Sequence, residues 1–462
     1  MRNIILNADS YKASHYLQYP PGTTEVSSYI EARGGEFPEA VFFGLQMFIK
    51  EYLLKPVTMA DVEEATAVFQ AHGVPFNADG WRYIVEECNG YLPIEIEAIP
   101  EGTVMPVRNA MVQVRNTDPE CAWLTSYVET ALLRAVWYPT TVATVSWNCR
   151  KVIERYMETT ADSQQGIDFK LHDFGARGAT SEEAAAIGGA AHLVNFMGSD
   201  TLSGIMAARR YYGADMAGFS IPAAEHSTIT SWGRDNEAAA YANMLEQFSG
   251  EGKIVAVVSD SYDLWNAIDN IWGGELKNRV EATGGTLVVR PDSGNPVEVV
   301  TETIERLMVK FGYSINQKGY RVLPACIRVI QGDGVSLKTI EAILAAMERK
   351  GQSAENIAFG MGGELLQKVN RDTMKFAMKA SAAKVNGQWR DVFKDPVTDR
   401  GKRSKKGRLA VKLGNCAQYQ TVRAEAVNGG DNLMVPVFRN GVLLGDLTFD
   451  QVRSNASNIT AC

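Results

Sequence analysis

Arg290 and Asp292 stand two residues apart in LVVRPDSGNP, Leu287 to Pro296, where an apolar run rich in β-branched residues breaks into an arginine, a proline, an aspartate and a glycine. An arginine at such a point can grip a phosphate or carboxylate, and an aspartate can hold ribose hydroxyls or Mg²⁺. Read from these residues alone, a structural ion pair at a turn fits equally well, because aspartate initiates turns and salt bridges at strand ends are common. Three further segments end in the same manner. KIVAVVSDSYD from Lys253 delivers Asp260, IRVIQGDGVS from Ile327 delivers Gly332 and Asp333, and NIAFGMGGELL from Asn356 delivers Gly362 and Gly363. Glycines after a strand let backbone N–H groups approach an anion, and a following helix N-terminus adds a favourable dipole. A single cluster of this kind is more often a tight turn, whereas two in consecutive units strengthen the phosphate reading.

His226, beside Glu225 in PAAEHSTITSWG, has the most suggestive neighbourhood of the five histidines for acid–base or nucleophilic work. Taken by itself the segment reads better as a core or capping histidine, with Ser227 and Thr228 starting a helix. In KLHDFGARG, Phe174 and Arg177 are three apart, a spacing that serves a stacking ring and a cation or plain packing. The run Lys402 to Arg408, KRSKKGR, is by default a solvated loop; its functional reading is a clamp for clustered anions.

Something must bring these groups together. The anchors Asp260, Asp292, Asp333 and Gly362 are 32, 41 and 29 residues apart, intervals that suit successive βα units of a barrel or parallel sheet with one shared mouth. SLKTIEAILAAMERKG, with apolar positions three and four apart, supplies one intervening helix. Residues 91–116 alternate apolar and polar positions with turn residues at intervals and predict antiparallel strands. The C-terminal segments GRLAVKL, YQTVRAEAV and LMVPVFRNGVLLGDLTF predict more, with Asn440-Gly441 as a hairpin turn. The fold class is therefore α/β: a barrel-like α/β domain over 146–385, with a second, β-rich domain formed by residues 1–145 and 386–462.

With 462 residues, 45% of them hydrophobic and 22% charged, the composition is that of a soluble globular enzyme. No apolar run is long enough to cross a bilayer, and the start MRNIILNADSYK lacks a signal-peptide core, which predicts a cytoplasmic protein with no membrane partner. A net charge of −8 argues against a general nucleic-acid binder. The six cysteines show no metal-ligand spacing and read as reduced, mostly buried thiols.

Together the segments NADSYKASHYLQYPPGT, NTDPECAWLTSYVET, KLHDFGARG, PAAEHSTITSWG, VSDSYD, RPDSGNP, RVIQGDGV and VFKDPVTDRGKRSKKGRL closely resemble the nicotinamide phosphoribosyltransferases, in family order over nearly the whole chain. The resemblance implies a two-domain type II phosphoribosyltransferase fold, acting as a homodimer with shared active sites. It implies that nicotinamide and phosphoribosyl pyrophosphate are joined to give nicotinamide mononucleotide and pyrophosphate in NAD salvage, with Mg²⁺ as cofactor and ATP as co-substrate. It also assigns residues. Phe174 matches one face of a nicotinamide sandwich and Tyr11, from the partner subunit, the other. Asp200 matches the acceptor of the carboxamide N–H, and Arg177 a base and phosphate contact. Arg290, Asp292, Gly332, Asp333, Gly362 and Gly363 match the sugar-phosphate site. Arg371 and Lys379 match phosphate ligands supplied by the partner, with Arg33, Lys394 and Lys402 in the pyrophosphate or nucleotide region. His226 matches a histidine phosphorylated by ATP, with Asp260 nearby. Direct metal ligands are not identified.

Three positions depart from the family pattern: Met361 replaces a usual serine, Glu364 a usual third glycine, and Ala377 a serine phosphate ligand. Fewer hydroxyl donors and an added carboxylate weaken anion binding unless nearby cations compensate. Two alternatives are nicotinate phosphoribosyltransferase and a catalytically silent phosphoribosyl or nucleotide-binding protein. Asp200 separates the first, since a carboxylate accepts from an amide but repels a substrate carboxylate. The joint presence of His226, Asp260, Arg290, Asp292 and Asp333 speaks against the second.

Overall fold

Four runs, Ile254–Val258, Thr286–Arg290, Ile327–Gln331 and Ile357–Met361, are mainly apolar and mostly buried, the pattern of strands covered on both faces. In the computed structural model, which describes residues 3–398, 402–414 and 418–457, they form a parallel sheet. Its order is Gly198–Ser199, Leu171–Asp173, Ile357–Met361, Ile327–Gln331, Thr286–Arg290, Ile254–Val258. One segment joins the two edges: Phe219 bridges Gly198 and Ala223 bridges Ala256, both parallel. The sheet is thereby curled towards a barrel, and Ala256, Val288 and Ile330 cluster with Phe174, Ile221 and Ala358. Helices connect the strands. Pro296–Phe311 starts on an Asn295 cap with Pro296 in its first turn, and Leu337–Arg349 on a Ser336–Thr339 capping box. These elements belong to one compact unit, Val145–Met206 with Asp215–Lys368.

The other unit comprises Met1–Thr144, Ala207–Ala214 and Val369–Cys462. Its seven-stranded antiparallel sheet runs Gln388–Asp391, Phe376–Val385, Thr23–Ala32, Ala110–Asn116, Ile94–Ala98, Val435–Arg439, Val442–Leu443. Strands from both ends of the chain therefore share one sheet. The hairpin at Asn440-Gly441 has Arg439 opposite Val442 and positive φ at both turn residues, 50° and 84°, as a tight two-residue turn requires.

The two compact units divide between Lys368 and Val369, and Phe376–Val385, which pairs in register with Thr23–Ala32, belongs to the antiparallel sheet. Its alanine-rich sequence gives little strand signal, and its partner lies more than 340 residues away. One expectation is corrected. The end of LLGDLTF is not a strand: Phe449 opens the helix Phe449–Ser457. Among the described residues, no helix is long and apolar enough to cross a membrane.

Candidate active site

All the catalytic candidates of the barrel-like unit follow the C-terminal ends of its strands, where parallel α/β folds keep their chemistry. Asp260 lies two residues after Ile254–Val258, Arg290 ends Thr286–Arg290, Gly332 and Asp333 follow Ile327–Gln331, and Gly362 follows Ile357–Met361. His226 opens the helix His226–Thr230 just after the segment that joins the sheet edges, with Glu225 as its N-cap. A helix does start here, but its cap is Glu225, boxed with Thr228, and not His226, whose imidazole is left available.

Nε2 of His226 lies 3.5 Å from Oδ2 of Asp292 and 3.7 Å from Oδ1 of Asp260, while Nδ1 lies 3.1 Å from Oγ of Ser261. Asp260 is held firmly. Its Oδ2 accepts from the Asp292 N–H at 2.9 Å and from the Ser293 hydroxyl, and its buried Oδ1 has no hydrogen-bond partner. Arg290 donates from Nη2 to Asp292 at 3.4 Å, and its Nε is buried without a partner. A buried guanidinium N–H with nothing to donate to is a standing site for an anion. The ion pair and the ligand-binding reading of Arg290 and Asp292 are therefore compatible.

A second group is built beside this one. The Phe174 N–H donates to the Met361 carbonyl at 2.9 Å. Its ring is seated on Gly360, where an added Cβ would come within 2.0 Å of Cε2, and more loosely on Gly332, at 3.4 Å. Asp200 follows the adjoining strand; its N–H donates to the Asp173 carbonyl at 3.0 Å, and one carboxylate oxygen accepts from the Ser220 hydroxyl. The other oxygen accepts from no donor among the described residues. Arg177 is exposed on the short turn Ala176–Gly178. Met361 is fully buried, and Glu364 pairs with Lys368 one helical turn on, which offsets its charge beside the Gly362-Gly363 loop.

The remaining candidates lie in the other unit. Lys379 is half-buried; burial first, and then the charges of Lys394, Arg33 and Lys12, lower its pKa against the opposing pull of Glu129. Three cations close enough to disfavour the charge of Lys379 make, with it, a receptive place for a polyanion. Lys12, ion-paired with Glu129, escaped the sequence reading because it sits in a polar N-terminal motif with no strand to flag it. Arg33 donates to the Lys375 carbonyl at 3.1 Å, Arg371 is exposed beside Asp372, and Lys402 and Lys394 are exposed. The ring of Tyr11 is 58% exposed. Ser220, Ser261 and Ser293 were also missed; Ser261 and Ser293 are signalled only by adjacency to Asp260 and Asp292, and Ser220, twenty residues from Asp200, offers no local signal.

A barrel mouth holding a histidine between two carboxylates, an arginine with an unsatisfied N–H, glycine turns and an aromatic ring has the groups that an enzyme acting on a phosphorylated sugar needs. Comparison with known proteins sharpens this. Residues 169–434 match the model of the nicotinate phosphoribosyltransferase (NAPRTase) family, and residues 3–96 match the nicotinamide phosphoribosyltransferase N-terminal domain. A nicotinamide phosphoribosyltransferase of Xanthomonas campestris pv. campestris is 52% identical over 460 residues, covering 98% of each chain. Another, of Acinetobacter baylyi, is 32% identical over 485 aligned positions, covering 97% of this chain and 96% of its own. The fold is shared with nicotinate-nucleotide pyrophosphorylase of Pyrococcus furiosus, TM-score 0.62 at 16% identity, covering 98% of this chain and 95% of that one. It is shared too with human nicotinic acid phosphoribosyltransferase, TM-score 0.58 at 17% identity, covering 97% and 92%. The chain belongs to the nicotinate phosphoribosyltransferase family, on the branch of relatives named nicotinamide phosphoribosyltransferase.

Proposed function

We propose that this enzyme transfers the phosphoribosyl group of phosphoribosyl pyrophosphate to nicotinamide, forming nicotinamide mononucleotide and pyrophosphate for NAD biosynthesis. The observation that carries the choice of base is Asp200: one of its oxygens is occupied by Ser220 and the other remains to accept a carboxamide N–H beside the Phe174 ring. A nicotinate carboxylate in that position would face a like charge.

The pyridine nitrogen is a neutral nucleophile and needs no general base. It attacks the anomeric carbon as the bond to the pyrophosphate oxygen breaks, the bond's electron pair leaving with pyrophosphate. Phe174 supports the ring, Arg290 directs its unsatisfied Nε–H towards phosphate oxygens, and Asp292 serves the ribose hydroxyls and the positive charge that develops on the sugar. Asp260 and Asp292 would hold Mg²⁺, which supplies neutralisation of phosphate charge; the unpartnered Oδ1 of Asp260 suits an ion that takes few protein ligands and completes its shell with water and substrate.

In the same reading, ATP phosphorylates His226 at Nε2, with Nδ1 fixed by Ser261, and the phosphohistidine tightens substrate binding. The active unit is a homodimer in the cytoplasm, each site completed by Tyr11 and the cations around Lys379 of the other subunit. The exposure of Tyr11 and of Leu17 on the same short helix, 58% and 65%, supports a covered surface there.

Steady-state assays with nicotinamide and nicotinate, each with and without ATP, test the reading. Nicotinamide should have the higher kcat/KM by at least about a hundredfold, since buried sites that pair with a substrate N–H reach about 10⁴-fold, and Asp200→Asn should narrow the preference. Equal efficiency with the two bases would overturn the choice of nicotinamide.

A further inference from the structure

Directly behind the base pocket stands a carboxylate to which the mechanism above gives no task. Asp173 ends the strand Leu171–Asp173 and is fully buried. It touches both members of the pocket through its own bonds. Oδ1 accepts from the Gly175 N–H at 2.7 Å, closing the turn that carries Phe174, and its carbonyl accepts from the Asp200 N–H at 3.0 Å. Oδ2 is buried without a well-formed hydrogen bond and faces the hydroxyl of Thr201, the residue after Asp200, which eases its charge only in part. Both border the space left by Gly189, where an added Cβ would come within 3.4 Å of Oδ2 and 3.0 Å of the Thr201 methyl. No cation is paired with Asp173 among the described residues. A buried, half-satisfied carboxylate is costly, and a fold that retains one at a site wall has a use for the charge.

We propose that Asp173 is a second specificity-determining carboxylate of the base pocket: its uncompensated charge, set behind Asp200 and Phe174, adds to the rejection of an anionic base. The inference rests on the reading that this mouth takes nicotinamide. In a poorly solvated wall a charge acts over a longer distance than at the surface, so a carboxylate brought up to Asp200 also meets the field of Asp173. The charge is also switchable. Burial first, with the neighbouring charge of Asp200 added to it, raises the Asp173 carboxyl to about 6. Of the groups around it, Asp200 is the charged one; Thr201 contributes a hydroxyl, Gly175 an N–H and Gly189 only space, while alternation places His172 on the other face of the strand. Below about pH 6 Asp173 is neutral and an anionic base is tolerated better; above it the rejection is complete.

The test is the ratio of kcat/KM for nicotinamide to that for nicotinate, measured on the full chain between about pH 5 and pH 8. The nicotinate carboxylate stays ionised and nicotinamide neutral over this range; the nicotinate concentration is counted as the form with an unprotonated ring nitrogen, which falls off towards about pH 5, and steps common to both bases, including any at His226, cancel in the ratio. The ratio should climb about threefold to tenfold with a midpoint near 6. In Asp173→Asn it should be low and flat. In Asp200→Asn it should start lower yet keep the climb, which separates Asp173 from Asp200 as the titrating group. A flat ratio in the unmodified enzyme, a climb that survives Asp173→Asn, or one that vanishes in Asp200→Asn would each overturn the inference. The unmodified profile and that of Asp200→Asn stand even if Asp173→Asn fails to fold. Absence of transfer to either base would instead overturn the function on which the inference rests.

Discussion

Nε2 of His226 lies 3.5 Å from Oδ2 of Asp292, too far for a hydrogen bond and close enough to feel the charge. Nε2 is therefore not engaged by Asp292, Ser261 at Nδ1 fixes the ring, and where Nδ1–H donates to Ser261 the Nε2 lone pair is open to attack. Incubation with ATP and Mg²⁺ should place an acid-labile phosphate on His226. His226→Ala should abolish ATP stimulation while leaving slow transfer without ATP, since pyrophosphate departure is helped separately by Arg290. Phosphate on another residue, or ATP stimulation that persists in the variant, would refute the role given to this histidine.

Gly360 bears the Phe174 ring so closely that a methyl group there would overlap Cε2 at 2.0 Å, whereas at Gly332 the same group would meet it at 3.4 Å. Gly360→Ala should displace the ring, raise KM for nicotinamide at least about tenfold and cost about 1–3 kcal/mol of stability. Gly332→Ala should be much milder on both counts. Paired kinetics and chemical denaturation check the order; similar effects at the two positions would show that the ring is not seated as described.

If Tyr11 serves the other subunit, Tyr11→Ala and Arg290→Ala should each be nearly inactive alone and complement each other when mixed. A heterodimer then has one site with both defects and one with neither. With random pairing half the dimers are mixed and half their sites intact, so activity should recover to about a quarter of the unmodified value. Verified heterodimers with no recovery would mean that Tyr11 acts within its own chain.

Asp173 makes a stability prediction as well. Its carboxyl is raised in the folded state to about 6 from an ordinary value near 4, so the folded protein holds this proton more tightly than the unfolded chain. The associated stability is present at low pH and is lost as pH rises through about 6. Asp173→Asn, which cannot ionise, should therefore gain on the unmodified protein between about pH 4 and pH 7, by up to roughly 3 kcal/mol. Denaturation curves at the two pH values measure the difference. A loss of stability that grows with pH would mean that the ionised carboxylate is well satisfied after all.

The strands Ile254–Val258, Thr286–Arg290, Ile327–Gln331 and Ile357–Met361 were legible because apolar runs and the residues that break them are local patterns, and the spacing of Asp260, Asp292 and Asp333 carried the idea of a common mouth. The same locality explains what was hidden. Phe376–Val385 is a strand because Thr23–Ala32 offers it hydrogen bonds from the other end of the chain, and Phe219 to Ala223 joins the edges of the parallel sheet through two isolated bridges that leave no periodic trace. Sequence by itself determined which residue types were available at the mouth and, through resemblance, which were worth following. Only the tertiary structure decided that Nε2 of His226 stands between Asp260 and Asp292, that Gly360 is the seat of Phe174, and that Asp173 lies uncompensated behind Asp200. Burial and pairing are properties of the space around a side chain, and segments distant in sequence shape that space.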